Sequence, residues 1–369
     1  MPKLPLRFAL IGAGHIAQSA VIPAFAAVQR HARLVSILSD DPLKRKQLGT
    51  RKGIETWTED QLSEAMAAGG IDALYIATPN HRHLKQALAA LHAGVHVLLE
   101  KPMTLTTAEA RRLVDATERS KARLMVAYRL HCDPTYVAAV RAVREGSIGD
   151  PRIFTASFTM QVRNGDVRTR AQLGGGSVPD LGIYCINAAR AFFAAEPVEV
   201  RALAVRGRDA RSREVDEATC AIMRFPGDRI ATCTTSFGAA STSWLQVVGT
   251  QGSLCLDSAF DASGTMKMTL EHGGRTRTRL GKIGDQFAGE IRYFSQCIAT
   301  RRDPEPSVQE GLRDIRVIEA IGRAADGRTA RNIPPLPALK GPQLRMVQHI
   351  PSRERKPKLV HAQSPSRPD

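Results

Sequence analysis

The sequence predicts an α/β protein of two domains: an N-terminal doubly wound parallel sheet, then a C-terminal α/β domain on an open, mainly antiparallel sheet. Three observations carry that reading. Apolar strand-like runs alternate with helical stretches through the first third of the chain, as in a parallel sheet with crossover helices. After Ile148-Gly149-Asp150, short strand candidates follow one another directly. The length, 369 residues, exceeds one domain of ordinary size.

In order, Arg7 to Ile11 reads as a buried strand and Ile16 to Val28 as a helix that Pro23 bends or limits. Leu34 to Leu38 is a strand, and Glu59 to Ala68 a helix closed by Gly69-Gly70. Ala73 to Ala77 is a strand broken by Thr78-Pro79-Asn80, and Leu84 to His92 a helix stopped by Gly94. The strand to Leu99, a helix from Thr106 to Ser120 and a strand from Arg123 to Ala127 complete the first domain, 1–127. The second domain, 128–335, has strands at Arg152 to Met160, Val198 to Val205, Ala218 to Phe225, Ile230 to Phe237, Trp244 to Gly249 and Ser253 to Leu256. A helix from Val178 to Phe193 interrupts them, and helical periodicity returns at Phe287 to Ala299 and Leu312 to Ala324, where a C-terminal helix can pack back on the first domain. Ile333-Pro334-Pro335-Leu336-Pro337 closes the folded part.

Composition is that of an ordinary globular protein, with 43% hydrophobic and 24% charged residues. No apolar run is long enough to cross a membrane. The few residues before the first strand leave no room for a secretory signal, so a cytoplasmic location is expected. Six scattered cysteines without Cys-x-x-Cys fit reduced thiols rather than disulfides or zinc. The net charge of +16 is dispersed and partly held in a tail, 340–369, expected to be a solvated, disordered segment carrying Lys340, Arg345, Arg353, Arg355, Lys356, Lys358 and Arg367. Nucleic-acid binding is therefore not favoured over an enzyme; a basic face that attracts an anionic cofactor or substrate is the better fit. His81, His83, His92 and His96 fall on different elements, so no metal site is expected.

Gly12-Ala13-Gly14-His15-Ile16-Ala17 follows the first strand and opens the first helix. In this G-x-G-x-x-A pattern Gly12 permits the tight turn, Gly14 lets backbone approach a pyrophosphate, and Ala17 keeps helix and sheet close. The helix N-terminus offers free N–H groups to phosphates. This is the dinucleotide-binding fingerprint of a Rossmann domain. The second strand ends Ser39-Asp40-Asp41-Pro42-Leu43-Lys44-Arg45. An acid there reads a ribose 2′-hydroxyl and favours NAD, whereas serine with nearby cations accommodates the 2′-phosphate of NADP. Both chemistries are present, Asp40 also suiting a turn cap; the reading prefers NADP, through Ser39, Lys44 and Arg45, to NAD.

Glu100-Lys101-Pro102 ends the strand from Gly94. A lysine there faces the crevice where open α/β sheets bind ligands, and can accept a proton or stabilise an oxyanion. Gly174-Gly175-Gly176-Ser177 precedes Pro179-Asp180-Leu181-Gly182-Ile183-Tyr184, which places Asp180, Tyr184 and Asn187 on one helix face. Spacing alone fits equally a plain helix N-terminus with a first-turn acid and a packed aromatic.

Together these motifs, with Thr78-Pro79-Asn80-His81-Arg82-His83, Tyr128-Arg129-Leu130-His131, Asp285-Gln286-Phe287 and Gln309-Glu310-Gly311-Leu312-Arg313-Asp314, resemble the glucose-fructose oxidoreductase / inositol dehydrogenase family from about Leu6 to Asn332, its glucose-fructose oxidoreductase branch most closely. The resemblance implies an NAD(P)-dependent dehydrogenase acting on the CH–OH group of a sugar, cyclic polyol or diol. It implies Lys101, Asp180 and Tyr184 as the catalytic set, and Thr78, Pro79, Asn80, His83 and Arg129 lining the cofactor site beside Gly12, Gly14, His15, Ile16, Ala17, Ser39, Asp40, Lys44, Glu100 and Lys101. It also implies a homodimer or homotetramer formed through the open sheet. The chain lacks that branch's long N-terminal arm and the tryptophan expected in the loop from Gln161 to Arg170, so exchange of free cofactor is expected and the substrate is left open. Arg163, Arg168 and Arg170 fit either an anionic substrate or a solvated loop. In the expected mechanism Tyr184 or Lys101 takes the hydroxyl proton, Lys101 as ammonium stabilises the alkoxide, and Asp180 orients substrate and holds Lys101. Free tyrosine and lysine both titrate near ~10, so each needs its neighbour to act near neutrality. Glu100 positions the strand end, and Lys101-Pro102 is a candidate cis bond. Two other readings are a non-catalytic NADP-binding regulator and a glycosidase using bound NAD for redox-assisted hydrolysis.

Overall fold

The computed structural model describes residues 4–209, 212–337, 339–352 and 357–366. The chain divides into two compact units: residues 1–129, 285–312 and 348–364 form the first, and residues 130–284, 313–347 and 365–369 the second.

The first unit opens with β1 (Leu6–Ile11), a turn of π-helix (Ala17–Val21) that continues as α1 (Ile22–Phe25), β2 (Ala32–Leu38) and α2 (Pro42–Lys52). Then come β3 (Glu55–Trp57), α3 (Leu62–Ala67), β4 (Ala73–Ile76), α4 (His83–His92), β5 (His96–Glu100), α5 (Thr107–Arg119) and β6 (Leu124–Ala127). All six strands are parallel, in the order β3-β2-β1-β4-β5-β6. The order reverses between β1 and β4, so their carboxyl ends flank the crevice in which such sheets bind dinucleotides. β4 and β6 are buried residue by residue, as a sheet covered on both faces requires. The helix expected from Ile16 to Val28 is shorter and starts with π-type bonding, Pro23 lying at its α-helical start, where its missing N–H costs nothing. Helix α2 was not expected. Its few apolar residues gave no periodic stripe, but Asp41 caps it, accepting from Leu43 N and Lys44 N, Pro42 is its first residue, and Gly53 closes it at φ 60.

The second unit contains α6 (Pro134–Arg144), β7 (Pro151–Thr159), a π-helical turn (Val178–Gly182) running into α7 (Ile183–Phe193), and β8 (Glu199–Val205). β9 (Ala218–Phe225), β10 (Arg229–Ser236), β11 (Thr242–Gly249), β12 (Gly252–Asp257), β13 (Thr265–His272) and β14 (Arg275–Lys282) follow. Then α8 (Gln286–Ala299) belongs to the first unit, α9 (Val308–Gly327) is divided between the two, and β15 (Arg331–Asn332) closes the second sheet. That sheet has nine strands, β14-β13-β12-β11-β7-β10-β9-β8-β15, antiparallel except where β7 and β10 pair in parallel. One face is apolar: Phe154, Ala156, Ala221, Met223, Phe225, Leu245, Val247, Leu254 and Leu256 form one core with Ile186, Phe192 and Phe193 of α7. Residues of opposite parity leave Ile153, Leu203, Val205, Ile222 and Ile230 exposed on the other face.

The expectation of a disordered tail is corrected over the described residues. Met346, Ile350 and Val360 are buried, and Ile350 O and Pro365 O accept backbone bonds from Asp285 and Arg163. Charge density alone hides these apolar anchors between the cations. Arg353, Arg355, Lys356 and Arg367 lie outside the described residues. No described helix is long and apolar enough to cross a membrane. All six cysteines are free.

Candidate active site

The expected site residues fall into two groups, one in each unit. In the first, the glycine loop follows β1 as the fingerprint requires. Gly12 has φ +90, and a Cβ there would meet Ala77 O at 2.6 Å, so only glycine lets the loop lie against the end of β4. A Cβ on Gly14 would meet nothing within 4 Å, which leaves its outer side open to a ligand. His15 and Ile16 are half-buried, while Ala17 is fully buried, where a larger residue would push the helix off the sheet.

At the end of β2, Ser39 is buried and its Oγ accepts from Asp41 N. The carbonyl of Ser39 accepts from Arg45 Nη1 at 2.5 Å. Asp40 accepts from Glu59 N and pairs with Arg82 at 3.2 Å, so both its oxygens are engaged. Asp41, not Asp40, caps the helix, and its second oxygen lies 4.0 Å from Lys44 Nζ. Both acids already hold partners within the protein, and the cations Lys44 and Arg45 stand beside them. With the glycine loop and helix N-terminus, these residues fit a nicotinamide dinucleotide.

The ends of β4 and β5 are tied together by His83. This fully buried ring sits 2.9 Å from Pro102 O through Nδ1 and 3.0 Å from Thr78 O through Nε2. Burial holds the imidazole below its ordinary pKa against the pull of the two carbonyls. A neutral ring donates one N–H to one of them. Thr78 Oγ1 donates to Gln86 Oε1, Pro79 leads into a short 3₁₀ turn, and Asn80 begins it. Lys101 follows directly, half-exposed, through a cis bond to Pro102. Glu100 accepts from Tyr75 Oη at 2.9 Å; burial raises its carboxyl, opposed by the charge of Lys101, the Tyr75 bond and Arg129. Arg129 is buried, and its Nη1 donates to Gln286 Oε1 at 2.6 Å. One residue here escaped the sequence reading. Glu290 is buried, neither carboxyl oxygen has a partner among the described residues, and burial together with Glu100 pushes its carboxyl well above the usual range despite Arg129. The available signal was an acid amid Phe287, Ala288, Ile291 and Phe294 on the apolar face of α8.

In the second unit, Asp180 and Tyr184 are half-buried at the start of the α7 helix. Asp180 Oδ2 accepts from Arg168 Nε at 2.8 Å, and Arg168 also pairs with Asp166. Arg168 is therefore held by the protein's own acids rather than extended into solvent. The glycine run explains its placement: a Cβ on Gly175 would meet Arg168 O at 2.3 Å, and Gly176 N donates to that same carbonyl. The ring of Tyr184 packs edge-on to Phe158 at 5.6 Å and tilted to Phe260 at 6.1 Å. Asn187 does not share their role. It is buried, accepts from His131 Nε2 and donates to Asp314, which with Arg190, Glu196 and Arg313 forms a buried ion network. Among the described residues no three His, Cys, Asp or Glu side chains are grouped to hold a metal.

A glycine loop at the switch point of a parallel sheet, with a lysine at a nearby strand end, is the arrangement of a dinucleotide-binding domain. The family comparisons agree. Residues 6–128 match the model described as oxidoreductase family, NAD-binding Rossmann fold, and residues 136–255 the GFO/IDH/MocA C-terminal domain. The chain belongs to this family. It is 31% identical to a D-xylose 1-dehydrogenase [NADP(+)] of Haloarcula marismortui, over 87% of this chain and 91% of that one. The crystal structure of aldose-aldose oxidoreductase from Caulobacter crescentus, complexed with glycerol, superposes with TM-score 0.84 at 31% identity, covering 89% of this chain and 99% of that one. A 3-ketoreductase from Actinomadura kijaniata, in complex with TDP-benzene and NADP, superposes with TM-score 0.79 at 28% identity, covering 87% and 98%.

Proposed function

We propose that the chain is an NADP-preferring sugar or polyol oxidoreductase in which Lys101, Asp180 and Tyr184 handle the proton at the reacting CH–OH carbon. The observation that carries the cofactor preference is the end of β2, where both acids are already bonded while Lys44 and Arg45 stand beside a buried serine. The NADP-dependent relatives support the same choice and support a sugar as substrate. Bound at the glycine loop, the cofactor supplies a nicotinamide that accepts or returns hydride. The phenol oxygen of Tyr184 takes or gives the substrate hydroxyl proton, Lys101 as ammonium stabilises the oxyanion, and Asp180, fixed by Arg168, orients the substrate. The Phe158 and Phe260 rings hold the Tyr184 ring in place. Thr78, Pro79, Asn80, His83, Glu100 and Arg129 support the cofactor edge by fixing the β4 and β5 ends rather than by offering loose side chains.

Replacing Tyr184 by Phe, or Lys101 by Met, should lower kcat about a hundredfold or more while the NADPH dissociation constant stays within about twofold. Near-wild-type turnover in both variants would overturn the assignment. The exposed apolar side chains Ile153, Leu203, Val205, Ile222 and Ile230 on one face of the second sheet support association of copies through that face.

A further inference from the structure

Residues 358–361, beyond both segments matched by the family models, pack within the first unit at the same corner as the end of β2. Gln18, buried on the helix that the glycine loop opens, forms a two-point amide pair with Val360: Gln18 Nε2 donates to Val360 O at 2.9 Å, and Val360 N donates to Gln18 Oε1 at 2.7 Å. Val360 is itself buried, so the pair is shielded from water. Upstream, Lys358 O accepts from Arg51 Nη1 of α2 at 3.0 Å. Downstream, His361 turns into the left-handed region at φ 44, a conformation uncommon outside glycine, and its Nδ1 donates to Asp41 Oδ2 at 3.1 Å. The other oxygen of Asp41 is spent on capping α2. The Asp41 carboxylate is thus ringed by two backbone N–H groups, Lys44 and His361.

From this placement we infer that the C-terminal segment is a strap across the adenosine end of the cofactor site, and that His361 joins Lys44 and Arg45 as a third cation recognising the cofactor's 2′-phosphate. The inference rests on the cofactor reading above and deepens it. The end of the second strand is where such sheets read the ribose 2′ position, and the strap bonds there and to the phosphate-binding helix at once. With both ring nitrogens protonated, Nδ1–H of His361 donates to Asp41 and Nε2–H is left for an anion. A carboxylate that would repel a phosphate is covered by the same histidine. Neither Gln18 nor His361 carries a motif visible in isolation; the fold alone joins Gln18 to Val360, 342 residues apart, and Asp41 to His361, 320 apart.

The test uses the full-length protein with NADPH and NADH as probes, read by equilibrium binding and by the rate at which each dissociates. His361→Ala should weaken NADPH about tenfold, the loss of one charge-assisted hydrogen bond, and leave NADH within about twofold. Val360→Pro, which removes the N–H that Gln18 accepts, should speed release of NADPH by a similar factor. Unchanged thermal midpoints of the cofactor-free variants show that the fold is intact. Tighter or unaltered NADPH binding in both variants would overturn the strap while leaving the cofactor reading in place. Wild-type protein that binds NADH as tightly as NADPH would overturn both.

Discussion

Arg168 and His96 show how single side chains set the chemistry of this protein. Arg168 stands between Asp180 and Asp166 and pairs with both. Arg168→Gln should destabilise the chain by about 2 kcal/mol, because two half-buried carboxylates lose their charged partner. Denaturant unfolding checks this; an unchanged midpoint contradicts it. His96 accepts from Arg123 N, and burial lowers its pKa to about 4. A depressed folded pKa means the unfolded chain takes the proton first as pH falls. Stability should therefore drop as pH goes from about 6.5 to about 4, by about 3 kcal/mol from this group. His96→Gln should flatten that part of the stability profile, and an identical acid slope in the variant would rule out the assignment. At this scale the sequence was partly legible. The strand-end lysine stood out by residue type and position, whereas the Asp-x-x-x-Tyr spacing alone fitted a plain helix N-terminus equally and drew its meaning from the family resemblance. The roles of Arg168, Glu290 and Asn187 did not stand out, because each depends on a partner distant in sequence.

Among the elements, the glycine loop and the Gly174-Gly175-Gly176 run do comparable work by different means. Gly12 must be glycine twice over, for its positive φ and for the missing Cβ beside Ala77. Gly12→Ala should therefore abolish NADPH binding by titration while the second unit stays folded; retained affinity would show that the loop can shift. Gly175→Ala should displace the Arg168 backbone and so raise KM for the substrate with little effect on NADPH affinity, and equal losses in both would contradict a substrate-side role. The first domain was legible almost element by element, because buried parallel strands leave short, unbroken apolar runs. β13 and β14 were not. Arg275–Lys282 is exposed along nearly its whole length, so it has no apolar face to read, and only the Gly273-Gly274 turn marked a hairpin.

For the whole molecule, the exposed face of the nine-stranded sheet and the C-terminal segment are what distinguish this chain from a bare two-domain scaffold. Ile153 and Ile230 are neighbours across the β7–β10 pair and Ile222 is exposed on the same face, so a charge at Ile222 or Ile230 falls among exposed apolar side chains. Ile222→Asp together with Ile230→Asp should reduce the mass measured by light scattering to that of one chain; an unchanged mass would exclude this face as the contact. The basic tail was misjudged because charge density was weighed without the buried Met346, Ile350 and Val360 that separate the cations. The central claim, a nicotinamide-dependent oxidoreductase of sugars or polyols that prefers NADP, is tested most directly by one assay. The wild-type chain is mixed with aldoses, polyols and diols and with each oxidised cofactor, and the absorbance of reduced nicotinamide is followed. Reduction is expected with at least one aldose or polyol, faster with NADP than with NAD and lost in Tyr184→Phe. No reduction with any of these substrates, and no oxidation of NADPH by the corresponding ketones or lactones, would contradict it.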